Sequence, residues 1–316
     1  MPTRFLLGPA GSGKTFRCLE EIRAELQSSP DGAPLILIAP KQATFQLERQ
    51  LLSDQNLAGY TRLQILSFER LADFILTTLQ KSPAKLLGEE GRIMALRALL
   101  LQKKNELKIF RSSARLPGFV QQLNLLLREF QRHHLSPQKL FSLAEKVPGK
   151  NQLDFKLHDL ALLLSAYLDW LKKHQLQDAD SILDLATAAL TETANSKFKT
   201  QNSKLILWLD GFAEMTPQET DLLAAIIPHC EKATLAFCLE DLPKDKLSWL
   251  SIWSVIGQTF RQCHEKLAAL SGNKIEIQIL KREPEKNRFA NTPTLRHFEE
   301  FWTDPKAFNS SDEGEL

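Results

Sequence analysis

The sequence predicts an α/β fold in which a parallel sheet is interrupted by a large all-helical insertion. Three observations carry that expectation. The strand Arg4 to Leu7 runs directly into Gly8-Pro9-Ala10-Gly11-Ser12-Gly13-Lys14-Thr15 and then into a helix-like segment. Leu35 to Ala39 and Lys204 to Asp210 contain strands that are apolar on both faces, as strands of a covered parallel sheet are. From about Gly88 to about Ala194 β-branched strands vanish and long apolar-periodic segments take over.

Residues 3–40 form one β-α-β unit in this reading. The helix after the loop carries Leu19, Ile22 and Leu26 on one face, with Glu20, Glu21 and Arg23 largely off it. Ser28-Ser29-Pro30-Asp31-Gly32 ends it with turn chemistry, and the crossover to a parallel neighbour should be right-handed. A third strand, Leu63 to Phe68, runs into the helical Glu69 to Leu76. The insertion contains helices around Phe119–Phe130 and Leu157–Leu171, with Pro117, Pro137 and Pro148 at or near helix starts and Ser136 as the N-cap before Pro137. A polar run, Thr193 to Ser203, connects back to the sheet strands Lys204–Asp210, Ala233–Leu239 and Lys274–Leu280. The expected organisation is a discontinuous domain of residues 1–87 and 195–282, an insertion of residues 88–194, and a polar tail of residues 283–316 whose acidic end should be disordered.

Gly8 to Thr15 fits G-x-x-x-x-G-K-[ST]. Its glycines let successive backbone N–H groups face phosphate oxygens, assisted by the N-terminus of the following helix. Lys14 is placed to reach the β and γ phosphates and Thr15 to offer its hydroxyl to Mg²⁺. Such a site needs a carboxylate at the end of a neighbouring strand to hold the cation's water shell. Asp210 is that candidate, as catalytic and metal-site residue. The next position, where a glutamate could activate water, holds Gly211, and Glu214 would need the chain to fold back. Nucleotide binding with slow or absent hydrolysis is therefore expected.

Forty basic against thirty-eight acidic residues, a formal charge of +2, exclude a bulk positive field, so a nucleic-acid site must be a local patch. Thr44 and Phe45 after the second strand, and Ser67, Phe68 and Arg70 after the third, lie at the carboxyl edge of the sheet, where ligands bind. Aromatic faces there can stack on bases and Arg or Ser can hold phosphates. Phe45 and Phe68 serve equally well as core anchors of their helices. Arg128, Arg132, His133 and His134 form either a phosphate patch or a solvated helix face. Cys18, Cys230, Cys238 and Cys263 are scattered without a C-x-x-C pair, which predicts neither disulfide nor metal site. The direct run into the first strand and the lack of a long apolar stretch predict no signal peptide, no membrane span and a cytoplasmic protein. Phe298, Phe301 and Trp302 have helical spacing and form an exposed surface if nothing packs on them.

Several stretches together carry a family resemblance: Phe5 to Gly8 into the loop, Ala39 to Gln46, Ile65 to Ala72, Trp208 to Phe212, and Thr216-Pro217-Gln218-Glu219. They resemble the N-terminal part of the AddB (RexB) subunit of bacterial ATP-dependent helicase-nucleases and, more broadly, UvrD-like superfamily 1 helicases. The resemblance implies a RecA-like P-loop NTPase domain with a helical insertion, binding ATP and Mg²⁺. It implies a subunit that handles single-stranded or end-resected DNA in recombinational repair, beside an AddA/RexA-like partner with helicase and exonuclease activity. The family's second motor-like domain, with its arginine finger, and its nuclease domain lie beyond these residues, and none of the four cysteines carries over as an iron–sulfur ligand. Gly211 agrees with an inactivated helicase. A stand-alone P-loop ATPase or kinase and a nucleotide-stabilised scaffold are the alternatives, and the hundred-residue insertion argues against the first.

Overall fold

The computed structural model describes residues 2–29, 32–53, 57, 59–81, 85–147, 152–192, 204–243, 248–283, 289–302 and 304–308. It divides into two compact units, one of Met1–Leu71, Ser196–Met215 and Ala224–Leu316, the other of Ala72–Asn195 and Thr216–Leu223. In chain order the elements are β1 (Pro2–Leu7), α1 (Lys14–Ser28), β2 (Leu35–Ile38), α2 (Thr44–Leu51), β3 (Leu63–Leu66) and α3 (Phe68–Thr78). There follow β4 (Leu86–Leu87), α4 (Glu89–Gln102), α5 (Pro117–Arg132), α6 (Pro137–Lys146), α7 (Gln152–Lys173), β5 (Gln177–Asp178) and α8 (Ile182–Glu192). Last come β6 (Leu205–Leu209), α9 (Pro217–Ile226), β7 (Cys230–Phe237), α10 (Ser254–Ala268), β8 (Lys274–Ile279) and α11 (Pro293–Glu300). The expected connection at 193–203, Pro148 and the acidic end at 309–316 lie outside the described residues.

The first unit is built on a six-stranded sheet of order β3-β2-β6-β7-β1-β8, and every pairing in it is parallel. All carboxyl ends therefore lie along one edge. The sequence reading made β1 and β2 neighbours; instead β6 and β7 stand between them. Every residue of the apolar β6 is buried and β7 is buried from Ala233 on, so the middle of the sheet is where they lose most contact with water. β8 alternates because it is an edge strand, with Ile277 and Ile279 still partly exposed. One face of the sheet buries Leu19, Ile22 and Leu26 of α1 with Leu37 and Trp208. The other stacks Phe5 on Phe237 and sets Phe260 of α10 edge-on to both.

Two charged residues of this unit are deeper than their pattern suggests. Arg23, expected off the apolar face of α1, is buried. Its guanidinium donates to Leu51 O at 3.2 Å and Gln50 O at 2.6 Å, tying α1 to the end of α2. Arg4, inside β1, donates to both oxygens of Glu21 at 2.8 and 2.6 Å. Burial raises the Glu21 carboxyl, but hydrogen bonds from Arg4, Trp208 and Arg17 outweigh it and leave the group below its ordinary value.

The second unit is helical apart from the two-residue parallel pair β4–β5. Its core joins Leu96 and Leu100 of α4, Leu123 and Leu127 of α5, Leu140 of α6, and Leu160, Leu164 and Tyr167 of α7. Pro117 and Pro137 both stand at helix starts, and the Ser136 side chain accepts from the Lys139 N–H. The buried carboxylate of Asp159 accepts from the backbone N–H groups of Lys108, Ile109 and Phe110 at 2.8–3.0 Å, tying a loop to α7. A second polar centre gathers Arg92, Tyr167 and Asp178, with Tyr167 donating to Asp178 at 3.0 Å. No helix among the described residues is long and apolar enough to cross a membrane.

Candidate functional site

Gly8 to Thr15 and Asp210, which the sequence reading assigned to the nucleotide phosphates and the cation, lie in the first unit, at the carboxyl edge of its sheet. The chain leaves β1 at Leu7, turns through Gly8 to Gly13 and enters α1 at Lys14. Gly11 and Gly13 have φ of +78° and +86°, left-handed values that side chains rarely adopt, and Gly13 occupies the N-cap without a side-chain cap. The first N–H groups of the fifteen-residue α1 thus lack helical partners, as at helix N-termini that bind anions.

Lys14 is buried and folds over the loop, its ammonium donating to Gly8 O and Pro9 O, both at 2.7 Å. Burial pulls this ammonium below the ordinary lysine range; Cys238 and Asp210 oppose the fall, and Arg282 adds to it. The Thr15 hydroxyl donates to Asp210 Oδ2 at 2.6 Å across 195 positions of chain. Asp210 stands at the end of β6, buried, with its N–H bonded to Ile38 O at 3.0 Å.

Ala10 to Arg17, Asp210 to Ala213, Cys238 and Lys281 line one cleft of about 1510 Å³. The described carboxylates lining it are Glu20, Asp210 and Glu283; Glu214 is exposed and outside that lining. Gly211 has φ +87°, and a Cβ built on it would lie 3.1 Å from Pro40 Cδ. A glutamate at this position would be strained in its backbone and crowded by the Pro40 ring.

Of the candidates for DNA contact, Phe45 is 73% exposed at the start of α2 and Arg70 is exposed on α3. Thr44 is half-buried, its hydroxyl donating to Lys41 O at 3.1 Å. Ser67 and Phe68 do not fit that role. β3 ends at Leu66, so Phe68 opens α3 rather than extending the strand. Its ring is 2% exposed and packs edge-on against Phe212 with centroids 5.2 Å apart, which leaves no face for a base. Ser67 is buried, its oxygen 3.4 Å from the Arg70 N–H. The basic cluster of the second unit is engaged with acids: Arg128 and Arg132 with Asp180, His133 near Glu129, His134 near Asp221.

The sequence reading missed Arg282 and Glu299. Arg282 follows β8, and because β8 pairs with β1 its guanidinium reaches Ala10 O at 3.1 Å. Glu299 of α11 lies beside Gly11. The usable signal was the third late strand: as a parallel neighbour of β1, it delivers its carboxyl end to the loop. All four cysteines are free; burial holds the Cys18 thiol well above its ordinary value, with Asp210 and Glu21 adding to the shift.

A family model described as ADDB, N-terminal, matches residues 5–299 of the chain. The chain belongs to this family. It is 33% identical over 313 residues to a subunit of the ATP-dependent helicase/deoxyribonuclease of Symbiobacterium thermophilum, covering 94% of this chain and 25% of that protein. The corresponding protein from Desulforudis audaxviator, which carries the same name, is 35% identical over 309 residues, 96% of this chain and 26% of the relative. That from Heliobacterium modesticaldum is 38% identical over 249 residues, 78% and 20%. The chain thus spans about a quarter of the length of the curated relatives it matches.

Proposed function

We propose that the first unit is a RecA-like P-loop domain that binds ATP with Mg²⁺, and that the helical second unit is an insertion in it. The domain then serves as the N-terminal part of a DNA-processing subunit in an ATP-dependent helicase-nuclease complex acting on double-stranded ends in recombinational repair. Gly8 to Gly13 cradle the phosphates, Lys14 neutralises them, and Thr15 with Asp210 holds the cation and its water shell. Single-stranded DNA tracks past Phe45 and Arg70, and an AddA/RexA-like subunit is the partner that moves along it. Family membership supports this reading.

The observation that carries it is the 2.6 Å contact between Thr15 and Asp210 beside the buried Lys14. Hydroxyl and carboxylate oxygens are hard donors that suit Mg²⁺, so the residues present fit the group. Bound Mg²⁺ supplies charge neutralisation at the β and γ phosphate oxygens. The left-handed backbone of Gly211 and the proximity of Pro40 support binding without efficient hydrolysis, because a water-activating glutamate is not accommodated there. The same feature favours a second reading, a nucleotide-stabilised scaffold; a ligand bound only to the folded state at about a hundredfold excess over its Kd stabilises it by about 2.7 kcal/mol. Steady-state ATP turnover, with and without single-stranded DNA, is the test. Turnover stays near background in both conditions; vigorous DNA-stimulated hydrolysis would overturn the inactive-site reading.

A further inference from the structure

Helix α11 is lightly packed yet fastened to the phosphate loop. It has no fully buried residue among those described, and Leu295, Phe298 and the following Trp302 are 40%, 61% and 59% exposed. A cavity of about 280 Å³ adjoins it, lined by Leu295, Phe298 and Trp302 together with Ala10, Trp253 and Arg282. What fastens it is polar. The Glu299 carboxylate, 11% exposed, sets both oxygens 3.3 and 3.5 Å from a Cβ position on Gly11. Arg282 bridges helix and loop: Nε donates to Ala10 O at 3.1 Å and Nη1 to Glu299 O at 3.3 Å, while Nη2 lies 3.9 Å from the Glu299 carboxylate.

We infer that α11 is a nucleotide-responsive latch: Glu299 holds it shut against the phosphate loop, and the phosphate tail of a nucleoside triphosphate displaces that carboxylate, takes over Arg282 and frees the helix. The inference rests on the reading of Gly8 to Thr15 as a nucleotide site. Two anionic groups cannot share one small loop and one guanidinium without mutual repulsion, and a weakly packed helix is the partner that yields. While the latch is shut the site is not competent, so the apparent affinity is the intrinsic one reduced by the open fraction.

The test is calorimetric titration of the 316-residue chain with Mg-ATP, paired with limited proteolysis across 289–302. Glu299→Gln keeps the size of the side chain and removes its charge. It should bind Mg-ATP about five- to twentyfold more tightly than the wild type, the inverse of the open fraction, and should be cut within 289–302 without nucleotide. In the wild type the same cleavage should appear only when Mg-ATP is added. Wild-type binding that depends on Lys14, with Glu299→Gln affinity unchanged or weaker, sinks the latch and leaves the nucleotide site standing. Absence of Lys14-dependent binding in both proteins sinks the nucleotide reading and the latch with it.

Discussion

In the proposed nucleotide site, replacing Asp210 by alanine separates the role of the cation from that of the phosphate loop. In the structure this carboxylate accepts from Thr15 Oγ1 at 2.6 Å and opposes the burial that lowers the Lys14 ammonium. Its loss therefore frees the Thr15 hydroxyl to rotate and removes the charge proposed to hold the hydrated cation. Deleting such an outer-sphere partner typically costs about 10–100-fold in metal affinity, or about 1.4–2.8 kcal/mol. Metal-free nucleotide meets no such loss, because it gains relief from a nearby negative charge. The measurement is the ratio of ATP dissociation constants in EDTA and in Mg²⁺, by calorimetry. Asp210→Ala should shrink that ratio about 10–100-fold, mainly through weaker binding in Mg²⁺, while Asp210→Asn, which keeps an acceptor for Thr15, tests whether charge or position matters. A ratio unchanged in Asp210→Ala, or an equal loss with and without Mg²⁺, refutes the assignment of Asp210 to the cation.

Three further substitutions probe the first unit's surface and core and the second unit's scaffold. Phe45→Ala should weaken binding of an oligo-dT strand by about 1–3 kcal/mol in fluorescence anisotropy, the usual worth of one base–aromatic stack. Phe68→Ala should leave that affinity alone and lower the urea midpoint, since its ring is buried against Phe212; the reverse pattern would restore Phe68 as the contact. Asp159→Ala strands three backbone N–H donors, those of Lys108, Ile109 and Phe110, at about 1 kcal/mol or more each. Urea unfolding should show a loss of about 3–5 kcal/mol, and a loss under about 1 kcal/mol would mean water replaces the carboxylate there.

What could be read from the sequence was local. The strand, loop and helix of the proposed phosphate site follow from nearest neighbours, as do the proline-started helices and the Ser136 cap. Asp210 was legible because an apolar strand ends on it, and the structure brings it to Thr15. Tertiary placement was not legible. Nothing near β1 announces that β7 and β8, more than two hundred residues on, become its neighbours, and Arg282 and Glu299 reach the loop only through that pairing. Arg23 and Phe68 both go inward through contacts with residues distant in sequence, Phe68 taking the core-anchor alternative. Arg23 is held inward by donating to the carbonyls of Gln50 and Leu51, and Phe68 by packing on Phe212. Gly211 was read as a missing glutamate; its φ of +87° and the Pro40 ring supply the backbone reason.

The most direct test of the nucleotide site is the Mg-ATP affinity of the wild type against Lys14→Ala, by calorimetry on the same chain. Lys14 is the buried cation of the loop, and removing it should weaken binding about a hundredfold or more, about 2.8 kcal/mol, and abolish the thermal shift given by Mg-ATP. Equal affinity and an equal shift in the two proteins would place the nucleotide elsewhere, or nowhere, and contradict the account.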